Sequence, residues 1–126
     1  MRLLIGLMAV AATALCGNPS HAQTWPARYV TMIVPFGAGS ATDVVARIVA
    51  AEMSQHLGQQ VVVENMGGAG GTMAVDRVAK AAPDGYQIVL SAVDTFAQAR
   101  FLYAQLRYDS VKDFAPINRS GLFGSL

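Results

Sequence analysis

Val30–Arg47 reads V-T-M-I-V-P-F-G-A-G-S-A-T-D-V-V-A-R. Val30–Val34 is an apolar, β-branched run, which predicts a short buried strand that Pro35 ends. Phe36–Thr42 is a turn of small residues. Beyond it Val44, Val45, Ile48, Val49, Met53 and Leu57 recur at spacings of one, three and four, the wide apolar stripe of a helix. Arg47, Ser54 and Gln55 fall off that stripe. Thr42 is the expected N-cap, Asp43 suits the positive end of the helix dipole, and Gly58 is the expected stop. A strand running into a helix through such a turn aims unpaired N–H groups beyond the strand's end, where an anion can sit. The junction alone neither names the anion nor says whether chemistry follows.

The pattern repeats downstream. Gln60–Glu64, with Val61-Val62-Val63, predicts a second strand. Asn65–Gly71 is a loop containing Gly67, Gly68, Gly70 and Gly71. Thr72 can cap a helix through Ala81, with Met73, Val75, Val78, Ala79 and Ala82 apolar and Asp76 four residues before Lys80. Pro83-Asp84-Gly85 marks a turn, and Tyr86–Leu90 predicts a third strand. Phe96–Leu106 reads as a short helix, Tyr108–Phe114 as a turn with one helical turn inside it, and Ala115–Asn118 as the opening of a fourth strand. Gln23–Tyr29, with Trp25-Pro26, reads as an extended lead-in. The order β-α-β-α-β with short connections predicts a parallel sheet with right-handed crossovers and helices on its faces.

In a parallel sheet all strand C-termini share one edge. Phe36–Thr42, Asn65–Gly71 and Ser91–Thr95 therefore face the same way, and in open α/β sheets ligands bind at that edge. These loops are rich in Gly, Ser, Thr and Asn and hold no Lys or Arg. Backbone dipoles and neutral groups from Ser40, Thr42, Asn65, Ser91 and Thr95 would hold the anion. Each piece also has a plainer reading. Gly37 and Gly39 can serve only a tight turn, Asn65–Gly71 can be a flexible loop, and Asp43 reads as bracing the turn. His56 reads as a solvated residue at a helix end.

The chain has 126 residues, one domain's worth, of which 53% are hydrophobic and 13% charged. The mean hydropathy of +0.38 owes part of its excess to the N-terminus. There Arg2, the apolar Leu3–Leu15 and Ser20-His21-Ala22 form the three parts of a secretory signal, residues 1–22, with cleavage expected before Gln23. The apolar run is shorter than the ~20 residues of a spanning helix. Cys16 is the single cysteine, and Leu15 before it disfavours lipidation. Cleavage removes Cys16, so residues 23–126 are expected to fold without disulfides. Nine Lys+Arg against eight Asp+Glu, with no basic run, argues against nucleic acid and a charged membrane tether. Few metal ligands remain, so no metal is expected. The first loop lacks the G-K-[ST] of a phosphate loop, and no G-x-S-x-G is present. Gly37-x-Gly39 lacks the third glycine of a dinucleotide fingerprint, where Thr42 stands. Glu64 after the second strand keeps a dinucleotide-binding enzyme domain open as an alternative.

Several stretches carry a resemblance: Trp25-Pro26 with Val30–Arg47; Gly58–Asn65 (G-Q-Q-V-V-V-E-N); Gly68–Thr72 (G-A-G-G-T); Ala81–Tyr86 (A-A-P-D-G-Y); and Tyr108-Asp109 with Val111–Pro116 (V-K-D-F-A-P). In this order and spacing they resemble the Bug-type substrate-binding proteins of tripartite tricarboxylate transporters, over nearly all of Trp25–Ile117. The resemblance implies an α/β fold of the periplasmic binding protein type II-like class, two domains closing over a ligand. Here only the parallel-sheet first domain would be present, with residues 23–126 an incomplete N-terminal part. It implies a periplasmic receptor and not an enzyme, without cofactor, that captures a di- or tricarboxylate-like ligand for membrane permease subunits and acts as a monomer. The ligand-binding residues implied or selected by topology are Phe36, Ala38, Gly39, Ser40, Thr42, Asp43, Asn65, Ser91 and Thr95.

Three departures stand out. Family members usually carry Arg-Pro after the Glu-Asn pair, where this chain has Met66-Gly67. Val93-Asp94 places a carboxylate where small residues are usual. The sequence stops at Leu126, less than half the family's length, and Arg119–Leu126 fits the family poorly. A truncated, non-functional remnant of such a receptor is therefore a second expectation beside a working one.

Overall fold

β1 (Val30–Val34) is the middle strand of a three-stranded parallel sheet, flanked by β2 (Val61–Asn65) and β3 (Gln87–Val89). The structure, a computed structural model, describes residues 24–117. In register, Val30 lies opposite Val61 and Val34 opposite Asn65; on the other side Thr31 lies opposite Gln87 and Ile33 opposite Val89. A middle strand packs on both faces, which is why β1 is apolar throughout apart from Thr31. Ile33 and Val34 are fully buried, and each such side chain contributes about 1.5–3 kcal/mol relative to exposure.

The chain leaves β1 for one side and returns to the other, so the strand order is β2-β1-β3. Helix α1 (Ala41–Leu57) makes the first crossover and packs on β1 and β2; helix α2 (Thr72–Ala79) makes the second and packs on β3 and β1. Right-handed crossovers in opposite directions put the two helices on opposite faces. On the α1 face Val30, Met32, Val34 and Val61 meet Ala46 and Ala50, with Val49, Met53 and Leu57 at the margin. On the other face Ile33 is fully buried, and α2 buries Ala74 and Val75.

The expected stripe on α1 is only half right. Val49, Met53 and Leu57 face the sheet, but Val44 and Ile48 are 52% and 62% exposed. Apolar residues occur on nearly every side of the helix, interspersed with polar ones, so periodicity alone does not select the face. Ala46 and Ala50 take the contact because their methyl groups allow close approach to the strands. The expected N-cap also shifts. Ser40, extended at φ −68 and ψ 160, caps α1 by accepting the Asp43 N–H at 3.2 Å, and Thr42 lies inside the first turn. Gly58 ends the helix in the left-handed region, as expected.

Gly71, and not Thr72, precedes α2, which ends at Ala79 and not Ala81; Thr72 donates its hydroxyl to the Ala69 carbonyl instead. Beyond β3, the expected helix over Phe96–Leu106 is a wide π-type turn, Asp94–Gln98, followed by one turn of α3 (Ala99–Leu102). Tyr108–Phe114 contains the expected helical turn, with Asp113 N–H on the Asp109 carbonyl at 3.0 Å. Ala115–Ile117 form no strand. The expected leader over residues 1–22, Asn118 and the stretch Arg119–Leu126 lie outside the described residues.

Candidate functional site

The edge formed by the strand C-termini gathers the three loops. Order β2-β1-β3 places the switch point between β1 and β3, so the loops after these two strands flank it. The second loop joins them through Gly71. Its φ is +86, and a Cβ there would lie 2.9 Å from Pro35 Cβ and 3.1 Å from Thr95 Cγ2. Pro35 follows β1 and Thr95 follows β3, so one glycine touches both neighbouring loops. Only a residue without a side chain fits there.

The first loop is held from behind. Asp43, 3% exposed, accepts the Gly39 N–H at 2.8 Å and the Arg47 Nε–H at 3.0 Å through Oδ2. Its Oδ1 accepts the Asn65 Nδ2–H at 2.9 Å. Asn65 Nδ2 also donates to the Phe36 carbonyl at 3.1 Å, and Asn65 Oδ1 accepts from Arg47 Nη2 at 3.2 Å. Carboxylate, amide and guanidinium thus close a ring that ties the end of β2 to the loop after β1. The Arg47 hydrogen bond, then those from Gly39 and Asn65, hold the Asp43 pKa at about 2, against desolvation acting the other way.

This arrangement sorts the nine residues picked from sequence. Asp43 and Asn65 have their polar atoms engaged inside the ring, and Gly39 gives its N–H to Asp43. Phe36 is partly buried against the α1-side core. Thr95 is 2% exposed, and its carbonyl accepts the Tyr108 hydroxyl at 3.0 Å, so it lies beneath the edge. Ala38 is exposed, and Ser40, Thr42 and Ser91 are partly so. The Ser40 N–H is taken by the Gly37 carbonyl at 3.2 Å and the Asp43 N–H by Ser40 Oγ. The first intrahelical bond is Val44 N–H to the Ser40 carbonyl, which leaves the Ala41 and Thr42 N–H groups without an intrahelical acceptor. Ser91 Oγ reaches the Ala92 carbonyl only at 3.5 Å, a length at which its hydrogen is readily given to a better acceptor.

Arg47 was missed as part of this group. It lies four residues after Asp43, the spacing at which helical side chains meet, and that was the available signal. Ser40 followed three residues later by Asp43 is likewise a capping pattern. A cleft of about 280 Å³ lies elsewhere, lined by Arg28, Thr31, Glu64, Arg77, Asp84 and Gln87 among others. Its two guanidinium groups are already paired, Arg77 with Glu64 and Arg28 with Asp84. Its charge is therefore balanced internally, and the loop edge remains the better place for an anion. Among the described residues no group of three or more His, Cys, Asp or Glu is placed to hold a metal ion.

Comparison with known proteins bears on the same region. Residues 45–122, more than half of the chain, match the family model described as tripartite tricarboxylate transporter family receptor. Protein BugT of Bordetella pertussis is 41% identical over 121 residues, 95% of this chain and 37% of its own. A UPF0065 protein of Agrobacterium vitis is 47% identical over 108 residues, 84% of this chain and 30% of its own. Among solved structures, MatC of Rhodopseudomonas palustris with bound malate aligns at a TM-score of 0.71 and 49% identity, covering 73% of this chain and 31% of that one. An R. palustris protein with adipate aligns at 0.66 and 40% identity, covering 69% and 29%. The chain spans about a third of the length of the curated relatives it matches. The parallel sheet with its flanking helices agrees with these periplasmic binding protein-like neighbours, and the chain belongs to the tripartite tricarboxylate transporter receptor family.

Proposed function

We propose that this chain supplies the first-domain carboxylate clamp of an extracytoplasmic receptor, one that hands a di- or tricarboxylate to the membrane permease subunits of a tripartite transporter. The carrying observation is the meeting of three strand-end loops at the switch point, in a fold whose neighbours were solved with malate and adipate. Outward donors at Ala38, Ser40, Thr42 and Ser91, with the Ala41 N–H, contact the ligand. Phe36, Gly39, Asp43, Asn65 and Thr95 shape the edge from behind. A carboxylate held by backbone dipoles and hydroxyls, without a lysine or arginine in the loops, is bound yet readily released. Residues 1–22 act as a cleaved leader that delivers the protein to the periplasm, where it works as a monomer.

The test is thermal unfolding against a panel of mono-, di- and tricarboxylates, with NAD and ATP as controls. A rise in midpoint with a di- or tricarboxylate and none with either nucleotide supports the reading. No rise with any carboxylate overturns the ligand class, and a rise with NAD favours a dinucleotide-binding domain. N-terminal sequencing of exported protein tests the leader: a chain beginning at Gln23 supports it, and one retaining Met1 contradicts it.

A further inference from the structure

A carboxylate behind a carboxylate-binding loop needs an explanation, because like charges repel and the protein screens them less well than water. Asp43 sits one residue beyond Thr42, with both oxygens turned into the ring. Arg47 is the cation that meets it, its side chain 55% exposed. Glu64, the neighbouring acid on β2, is engaged by Arg77. Arg47 does two things through one planar group: Nε meets Asp43 and Nη2 meets Asn65. A lysine, with one compact ammonium, cannot hold both partners in that fork.

We propose that Arg47 is a positioning residue of the carboxylate site: it neutralises Asp43 and, through Asp43 and Asn65, holds the Phe36–Ser40 loop in the geometry that accepts an anion. The inference rests on the receptor reading for its ligand but not for its geometry. Among the described residues, the hydrogen bonds of Arg47 go to Asp43 and Asn65, the two side chains it bridges. Its removal exposes the ligand to an unbalanced negative charge and leaves the Asp43 carboxylate that holds Gly39 without its cation. A dianion feels the unbalanced charge more than a monoanion does.

The test uses the full chain, isotopically labelled, with Arg47→Gln, Arg47→Lys, Asp43→Asn and the Arg47→Gln/Asp43→Asn pair. Three quantities are followed by NMR: the Asp43 carboxyl titration, the Gly39 amide shift against pH, and the response to added L-malate. Arg47→Gln is expected to raise the Asp43 midpoint toward the ordinary carboxylate range, with the Gly39 amide titrating alongside. It should weaken malate roughly tenfold, the order expected when one like charge near the anion is left unbalanced. Arg47→Lys, which keeps charge and stem, should fall between. In the Asp43→Asn background the carboxylate that links Arg47 to Gly39 is gone, so Arg47→Gln should weaken malate less than it does with Asp43 present. An unchanged Asp43 midpoint and Gly39 amide in Arg47→Gln overturn the proposal, as does an equal malate loss in both backgrounds. If the unsubstituted chain ignores malate, the receptor reading loses its ligand, while the two titrations still decide the role of Arg47.

Discussion

Asp43 Oδ2 accepts the Gly39 N–H at 2.8 Å, so the first turn of α1 holds the loop that leads into it. Gly39 has φ +84, a conformation that the bond fixes. With its pKa lowered from 3.8 to about 2, the Asp43 carboxylate binds its proton less readily in the folded chain than in the unfolded one. Its contribution to stability is therefore complete above about pH 4 and lost as pH falls through about 2. Asp109, also held low by the Val111 and Lys112 N–H groups, acts in the same direction. Thermal midpoints measured from pH 6 to pH 2 should fall steeply for the wild-type chain and less steeply for Asp43→Asn. Identical acid limbs would show that the ring adds nothing.

Gly71→Ala should destabilise the chain by about 2–4 kcal/mol. The new methyl meets Pro35 at 2.9 Å, and the backbone is left-handed there. Gly37→Ala, where a Cβ meets nothing within 4 Å and φ is unremarkable, should stay within about 0.5 kcal/mol. Urea unfolding of the two variants separates a packed junction from a merely flexible glycine loop.

Ser40→Ala should cost about 1 kcal/mol, the usual weight of a lost N-cap. Thr42→Ala should be near neutral for stability while weakening any anion held at the helix start. The reverse order in urea unfolding would restore Thr42 as the cap.

Tyr108→Phe removes the buried hydroxyl that the Thr95 carbonyl accepts from, at 3.0 Å. A loss of about 1 kcal/mol is expected. Hydrogen exchange should quicken over Asp94–Gln98 while the β1 amides keep their protection. Uniform loss of protection would mean that the third loop is not separately anchored.

The sheet was legible because its causes are local and repeated. Val30–Val34 and Val61–Val63 are β-branched runs bounded by turn residues, and a helical crossover between successive strands gives parallel pairing. Strand positions alone then place the three loops on one edge. The inward face of α1 was not legible, since Val44 and Ile48 look as suited to a core as Val49 and Met53. Only contact with the sheet shows that Ala46 and Ala50 are central. Among the site residues, exposure was the hidden variable. Thr95 and Ser91 look alike as letters, yet one lies beneath Gly71 and the other near the rim. Arg47 was hidden by distance along the chain from Asn65, its second partner.

The most direct test of the proposed carboxylate edge is an amide-shift titration of the chain with L-malate. Saturable shifts are expected at Ala38–Thr42 and at Ser91, with little movement around Arg28 and Arg77. Shifts confined to the Arg28 and Arg77 cleft, or none at any malate concentration, would contradict it.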